Sequence, residues 1–337
     1  MLSMKSRYIV FKEPFKVSIE EEELRDIGPH EVIVKTRCTL ISTGTELTAY
    51  SGQFPEASRW ADYVEYPFRP GYCNVGEVVE VGSHVKEFEV GDRVASLGGH
   101  AEYVIVPERE LIKIPDEVSD EEAVFHTIAA GVMNSVRLAS VSLGDFVVVA
   151  GLGLLGQMAV MFSRLCGAFP VVAVDLADFR LKLAEKSGAV FTINAGREVV
   201  YEKVRELSEG RMADVVFEVT GNPSVIPEAI KLVRKLGKLI ILSSPRGPST
   251  LDFHDEVNAP SRIIIGTHFT SQPEVETLYF PWTRRRNTEL FFNLLKFKVI
   301  DISHLVTHRF KWYEVEKVYS ELWRDRTCFL GVILYFR

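Results

Sequence analysis

The sequence predicts an α/β protein: a β-rich, barrel-like stretch, then a doubly wound parallel sheet, then a mixed tail. Three observations carry this. Short strand patterns broken by glycine turns run through about Glu121. Strands and helices alternate from there to about His268. A glycine turn, Gly151-Leu152-Gly153-Leu154-Leu155-Gly156, joins an apolar run to a helix-like segment within that alternation.

In the first stretch, Glu31 to Thr36 alternates, and Gly76 to Val81 is a strand ended by Gly82-Ser83. Gly91-Asp92-Arg93-Val94 turns into another strand. Ala101 to Pro107 is extended, and Leu111 to Pro115 closes the set. Ser119-Asp120-Glu121-Glu122 then starts a helix, because serine caps and the acids suit the positive helix end.

Around the glycine turn, Phe146 to Ala150 has strand composition, Gln157 to Leu165 is helix-like, and Pro170 to Val174 is a second apolar run ending in Asp175. This is the order of a dinucleotide-binding unit. Gly151 permits the tight turn, Gly153 lets the backbone approach a pyrophosphate, and Gly156 lets helix and strand pack closely. Leu154 and Leu155 lie within the loop and are cofactor-binding candidates with the glycines, and the first N–H groups of the helix that follows favour phosphate. Asp175 lies about 20 residues beyond the loop, where a carboxylate accepts hydrogen bonds from the adenosine ribose. Asp175 would repel a 2′-phosphate, so the expected cofactor is NAD; Arg180 is close enough to leave mixed use open.

Further along, helices are expected over Asp178 to Ser187, Glu198 to Ser208 and Ser224 to Leu236. Strands are expected over Ala189 to Ile193, Asp214 to Val219, Lys238 to Leu242 and Arg262 to Gly266. The last two are candidate sheet edges. Ligands sit at the carboxyl ends of such strands, which makes Thr220, Ser243 and His268 cofactor-binding candidates. His268 can equally be a structural histidine, and Arg246 either meets an anion or is a solvated loop arginine. The tail carries a helix candidate from Thr288 to Leu295, a strand at Leu305 to Phe310, a helix at Trp312 to Trp323 and a final strand from Gly331 to Phe336.

Bulk properties exclude several classes. The net charge of −7 gives no basic footprint for nucleic acid or a membrane surface. No apolar run is long enough to span a bilayer, and the first residues lack a signal-peptide apolar core. Cys38, Cys73, Cys166 and Cys328 are far apart and form no C-x-x-C pair, which fits a reduced cytoplasmic protein.

Taken together, Gly76-Glu77-Val78-Val79-Glu80-Val81-Gly82, Gly91-Asp92-Arg93-Val94, Ala101-Glu102-Tyr103-Val104, the glycine loop, Asp214 to Pro223 and Leu305 to Phe310 resemble the medium-chain dehydrogenase/reductase superfamily, the alcohol-dehydrogenase-like enzymes. The likeness covers almost the whole chain. It implies a GroES-like β-barrel catalytic domain over residues 1–122 and a Rossmann domain inserted over 123–268. Residues 269–337 return to the catalytic domain, and the assembly is a homodimer formed edge to edge. Leu40 to Leu47 and Tyr66 to Tyr72 are similar to a zinc-lacking branch that includes bacteriochlorophyllide dehydrogenases. The pigment substrate is not carried across on these motifs.

Zinc members of the superfamily hold the catalytic metal with a cysteine in G-x-C-G-[ST]-D, a histidine in G-H-E and a later cysteine. Thr43, Tyr72 and His126 take those positions here. Threonine and tyrosine are poor zinc ligands, so no metal is expected, although His126, Cys73, Glu46 and Cys38 could in principle rebuild a site. The cysteine-rich structural zinc lobe is also missing between Val94 and Ala101. Without zinc, hydrogen-bond donors or a general acid/base must manage the substrate oxygen. Thr45 matches the family's hydroxyl relay or is a turn threonine. Tyr72 donates to a carbonyl oxygen or packs under the cleft. His126 is of a type that titrates in the useful range, or is a core histidine of the apolar segment from Ala123 to Met133. Tyr50, Phe54, Trp60, Tyr63, Tyr66 and Phe68 either wall a pocket or cover the barrel.

The expected function is hydride transfer between NAD(H) and a small alcohol or ketone. The alternatives are an NADPH-dependent quinone or enoyl reductase, and a nucleotide-binding protein without catalysis.

Overall fold

The structure, a computed structural model, describes residues 4–336. The chain divides into two compact units, Met1–Thr127 with Thr288–Arg337, and Ile128–Asn287.

The first unit opens on a hairpin of β1 (Lys5–Glu13) and β2 (Lys16–Glu23), turned at Phe15 with φ +62°. Next come β3 (Glu31–Leu40), α1 (Thr43–Ser51), α2 (Arg59–Tyr63), β4 (Asn74–Val81), β5 (Arg93–Ser96), β6 (Tyr103–Pro107) and the short β7 (Ile112–Lys113). Val32, Val34, Val78, Val94, Val104 and Leu111 fill the interior of this sheet. Ser119 caps α3 (Asp120–Ala123) in a reciprocal box: its hydroxyl accepts the Glu122 N–H at 3.3 Å, and Glu122 accepts the Ser119 N–H at 2.9 Å. The helix expected through the apolar segment breaks after Ala123. It restarts as α4 (His126–Ala139), so His126 is an opening residue rather than a mid-helix one.

The second unit holds β8 (Val147–Ala150), α5 (Leu154–Leu165), β9 (Val171–Asp175), α6 (Asp178–Ser187), β10 (Phe191–Asn194), α7 (Val200–Leu207), β11 (Ala213–Glu218), α8 (Ile226–Lys231), β12 (Val233–Ile241) and β13 (Ile263–Gly266). All six strands are parallel, in the order β10-β9-β8-β11-β12-β13. This is the doubly wound order that reverses between β8 and β11, and a ligand crevice lies at such a reversal. β8 and β9 are nearly continuous buried apolar runs, as a sheet covered on both faces requires.

Two expectations are corrected here. The helix read from Ser224 to Leu236 ends at Lys231, and Val233 to Leu236 belongs to β12. Leu236, at φ +62° and 61% exposed, marks an irregularity where β12 slips register against β11. Lys238 to Leu242 is not an edge: β12 is bonded to β11 on one side and β13 on the other, so the edges are β10 and β13.

The chain then forms α9 (Arg284–Lys296) and returns to the first unit as β14 (Val306–Lys311), α10 (Val315–Arg324) and β15 (Gly331–Tyr335). β15 lies between parallel β14 and antiparallel β3, completing a sheet ordered β14-β15-β3-β4-β5-β7, with β6 also on β3. The apolar face of α10 buries Val315, Val318, Tyr319 and Leu322 against Ile9, Phe11, Leu47 and Tyr50. Among the described residues no helix is long and apolar enough to cross a membrane.

Candidate functional site

In the second unit, the glycine turn folds as its residue types require. Gly151 has φ +96°, a conformation side chains resist, and a Cβ there would stand 2.9 Å from Thr220. A Cβ on Gly156 would meet the Gly151 carbonyl oxygen at 1.9 Å, so the first turn of α5 can lie this close to β8 only without one. Gly153 differs: nothing lies within 4 Å of its Cβ direction. That open space lies at the N-terminus of α5, whose first N–H groups have no intrahelical partners. Leu154 is buried and Leu155 half-buried, so both anchor the helix start.

Asp175 ends β9 and ties the turn together. Its Oδ2 accepts the Leu152 N–H at 2.7 Å and its Oδ1 accepts the Ala177 N–H at 2.9 Å. An ionised carboxylate has about four acceptor positions, so both oxygens keep capacity for ribose hydroxyls. Arg180 Nη1 stands 3.9 Å from Asp175 Oδ2.

Thr220 and Ser243, from the ends of β11 and β12, are joined by a residue that sequence reasoning missed. Glu218 is fully buried. Its Oε1 accepts the Thr220 N–H at 2.7 Å and the Thr220 hydroxyl at 2.5 Å, and its Oε2 accepts the Ser243 hydroxyl. The signal was available: a glutamate inside the apolar run Asp214 to Val219 has to be buried, and a buried carboxylate needs converging donors. His268 is exposed and caps a short turn. Its Nδ1 lies 2.8 Å from the Thr270 hydroxyl and accepts the Thr270 N–H at 3.3 Å. The Arg246 N–H reaches the Gly221 carbonyl at 3.3 Å. The open face at Gly153, the helix terminus and the acid after β9 fit a dinucleotide.

In the first unit, Thr45 and Tyr72 come together. The Tyr72 phenol donates to Ser42 Oγ at 2.5 Å and lies 3.2 Å from Thr45 Oγ1. Burial drives the phenol's pKa upward, and nearby Cys73 and Glu46 push the same way, so the group stays protonated. Thr127 Oγ1 donates to the Tyr72 carbonyl at 2.8 Å, and the buried His126 ring stands 3.3 Å from that same hydroxyl through Nδ1. Thr45 and Tyr72 thus share a hydroxyl cluster with Ser42, a member that sequence reasoning did not single out, while His126 is linked to Tyr72 only through Thr127 and the Tyr72 main chain. The donor chemistry does not fit a catalytic zinc. Thr43 offers a neutral hydroxyl, the Tyr72 phenol is held protonated and engaged, and among the described residues no three His, Cys, Asp or Glu side chains converge.

The aromatic segment packs largely as a cover. Tyr50 is buried in the core that α10 closes, with Phe54, Trp60, Tyr66 and Phe68 packed against it. Tyr63 is the exposed member, edge-on to Phe68 at 5.4 Å.

Comparison with known proteins bears on both units. The family model described as alcohol dehydrogenase GroES-like domain matches residues 28–116, and the one described as zinc-binding dehydrogenase matches residues 155–284. L-threonine 3-dehydrogenase of Pyrococcus horikoshii is 27% identical over 344 aligned residues, covering 93% of either chain. A short chain alcohol dehydrogenase from Escherichia coli CFT073, solved with NADH, superposes with a TM-score of 0.83 at 22% identity over 98% of this chain and 99% of its own. A zinc-binding dehydrogenase from Sinorhizobium meliloti 1021, solved with NADP, gives 0.82 at 20% identity over the same shares. With both domain types matched in order, and the six-stranded sheet reversing where the glycine turn lies, the chain belongs to the medium-chain dehydrogenase/reductase superfamily.

Proposed function

We propose that this protein is an NAD(H)-dependent oxidoreductase acting on a small alcohol or ketone without catalytic zinc. The observation that carries the reading is the hydroxyl cluster of Ser42, Thr45 and Tyr72, in which Tyr72 takes the position of a zinc-ligating histidine of the zinc members. A bound nicotinamide would supply or accept the hydride. The chain's own residues manage the oxygen. In the reductive direction the Tyr72 phenol, kept protonated by burial, turns its single O–H from Ser42 Oγ to the carbonyl oxygen as negative charge builds there, and the Ser42 hydroxyl reverses to donate to the phenol oxygen. The Ser42 and Thr45 hydroxyls orient that phenol, whereas His126 reaches only Thr127, whose hydroxyl is bonded to the Tyr72 main-chain carbonyl, and takes no part in the proton transfer. In the second unit, Gly153 and the start of α5 receive the pyrophosphate, and Asp175 receives the ribose.

The test is turnover of an alcohol and ketone panel after exhaustive chelation. Activity is expected to survive chelation, and Tyr72→Phe is expected to lower kcat by about a hundredfold, the usual scale for one oxyanion donor. Stoichiometric zinc whose removal abolishes turnover would overturn the zinc-free reading. Tight NAD binding with no turnover of any panel member would favour a non-catalytic nucleotide-binding protein.

A second reading, an NADPH-dependent quinone or enoyl reductase, draws on Arg180 beside Asp175. Tighter binding of NADPH than of NADH would favour it. The proposal includes a homodimer. β13 is an unpaired edge with Ile263 48% and Ile264 37% exposed, and such an edge suits pairing with its own copy. A solution mass equal to the single 38.0 kDa chain would remove this part of the reading.

A further inference from the structure

Beside the hydroxyl cluster the first unit buries a carboxylate that the proposed chemistry does not consume. Glu46 lies in the first turn of α1 and is 1% exposed. Its Oε1 accepts the Ser42 N–H at 2.7 Å. Its Oε2 takes two further partners: His100 Nε2 at 3.0 Å and the phenol of the fully buried Tyr319. His100 is closed on its other side by Thr39 Oγ1, 2.7 Å from Nδ1. With Nε2–H donating to the carboxylate, Nδ1 of a neutral ring accepts from the Thr39 hydroxyl, and every member of the array has a partner.

Ser42 makes this arrangement informative. It stands at the N-cap of α1, where a serine hydroxyl ordinarily accepts an N–H of the first turn. Here the side chain makes no cap hydrogen bond. Its Oγ is turned to the Tyr72 phenol instead, at 2.5 Å, while Glu46 holds the Ser42 backbone. The carboxylate fixes the N-cap residue through its backbone N–H, not through its hydroxyl, and the hydroxyl is left to the cluster.

We infer that Glu46 is a positioning residue: clamped by His100 and Tyr319, it fixes Ser42 so that the serine hydroxyl holds the Tyr72 phenol in one orientation. The catalytic meaning of this rests on the proposed function; the positioning itself does not. A carboxylate can accept from all three donors, whereas the amide of Glu46→Gln must point an NH2 at one of them.

The experiment uses the full chain with Glu46→Gln, Ser42→Ala and the double substitution. The readouts are the 13Cζ resonance of Tyr72 in tyrosine-labelled protein, NADH affinity, and NAD-dependent oxidation of cyclohexanol as the probe. Glu46→Gln is expected to move the Tyr72 resonance as Ser42→Ala does, with no further movement in the double variant. NADH affinity should stay within about twofold, while kcat falls about tenfold with little change in KM, the pattern of a lost transition-state interaction. An unmoved Tyr72 resonance, or strictly additive effects, would overturn the inference. If the unsubstituted protein does not oxidise cyclohexanol, the activity reading is weakened while the resonance still decides the positioning. If Glu46→Gln does not fold, Tyr319→Phe removes one donor and keeps the ring: a smaller movement of Tyr72 in the same direction supports the inference, and none overturns it.

Discussion

Gly156→Ala is expected to unfold or cripple the second unit, while Gly153→Ala, three residues away in the same turn, is expected to leave its stability unchanged. The added carbon at position 156 would lie 1.9 Å from the Gly151 carbonyl oxygen and 2.9 Å from its carbon, and backbone atoms cannot rotate aside. Opening the packing of α5 on β8 to admit a methyl should cost on the order of 4 kcal/mol, a scale confined to such named defects. At roughly 2–4 °C per kcal/mol for a unit of this size, melting should fall by about 10 °C or soluble protein should be lost. At position 153 the same carbon meets nothing within 4 Å. There the methyl would fill the space left open for a pyrophosphate, so NADH affinity should fall at least about tenfold with melting unchanged. Thermal melts and NADH titrations of the two variants separate the roles. Normal melting of Gly156→Ala would refute the packing argument, and normal NADH binding by Gly153→Ala would refute the cofactor site.

Asp175→Asn is expected to change two properties at once. The carboxylate now accepts N–H groups from Leu152 and Ala177, one on each of its oxygens. An amide offers one oxygen, so its NH2 must face one of those donors. With Leu152 fully buried, stability should fall by about 1–3 kcal/mol. The lost negative charge also ends the repulsion of a 2′-phosphate, with Arg180 already 3.9 Å away to meet one. The ratio of NADPH to NADH affinity should therefore rise by about ten- to a hundredfold, the scale of one charged contact. Parallel titrations with both coenzymes check it. An unchanged ratio would mean that Asp175 ties the turn without reading the ribose.

These effects show why the second unit was legible in the sequence. Strands buried on both faces must be continuous apolar runs, and the glycines must lie where backbone approaches backbone, so Val147 to Ala150 and Gly151 to Gly156 announce themselves. The β12 irregularity was not legible. Val233 to Leu236 continues a helical pattern, and only pairing with β11 makes it extended. The first hairpin was missed because β2 ends in four glutamates, which read as a solvated run, although β1 places Ile9 and Phe11 in the core. Helix α1 hid behind Thr43-Gly44-Thr45, residues of low helix propensity that a carboxylate one turn on makes tolerable. Thr45, Tyr72 and His126 could be named from aligned positions, but Ser42, His100 and Tyr319 could not. Their partners lie as far as 273 residues away in sequence, and no local pattern records such a contact.

The sheet of the first unit also dictates an order of assembly. Its strand β15, Gly331–Tyr335, slots between β14 and β3, whereas the second unit is one uninterrupted segment, Ile128–Asn287. On a ribosome the second unit can close as soon as its own residues emerge, but β3 must wait for a neighbour synthesised long afterwards. Until then Leu40 and Ile41, both fully buried in the finished fold, lack the strand that covers them. Nascent chains of this protein therefore carry an unfinished sheet through most of their synthesis, and that interval, more than the stability of the completed fold, is when a chaperone has an open strand edge to protect.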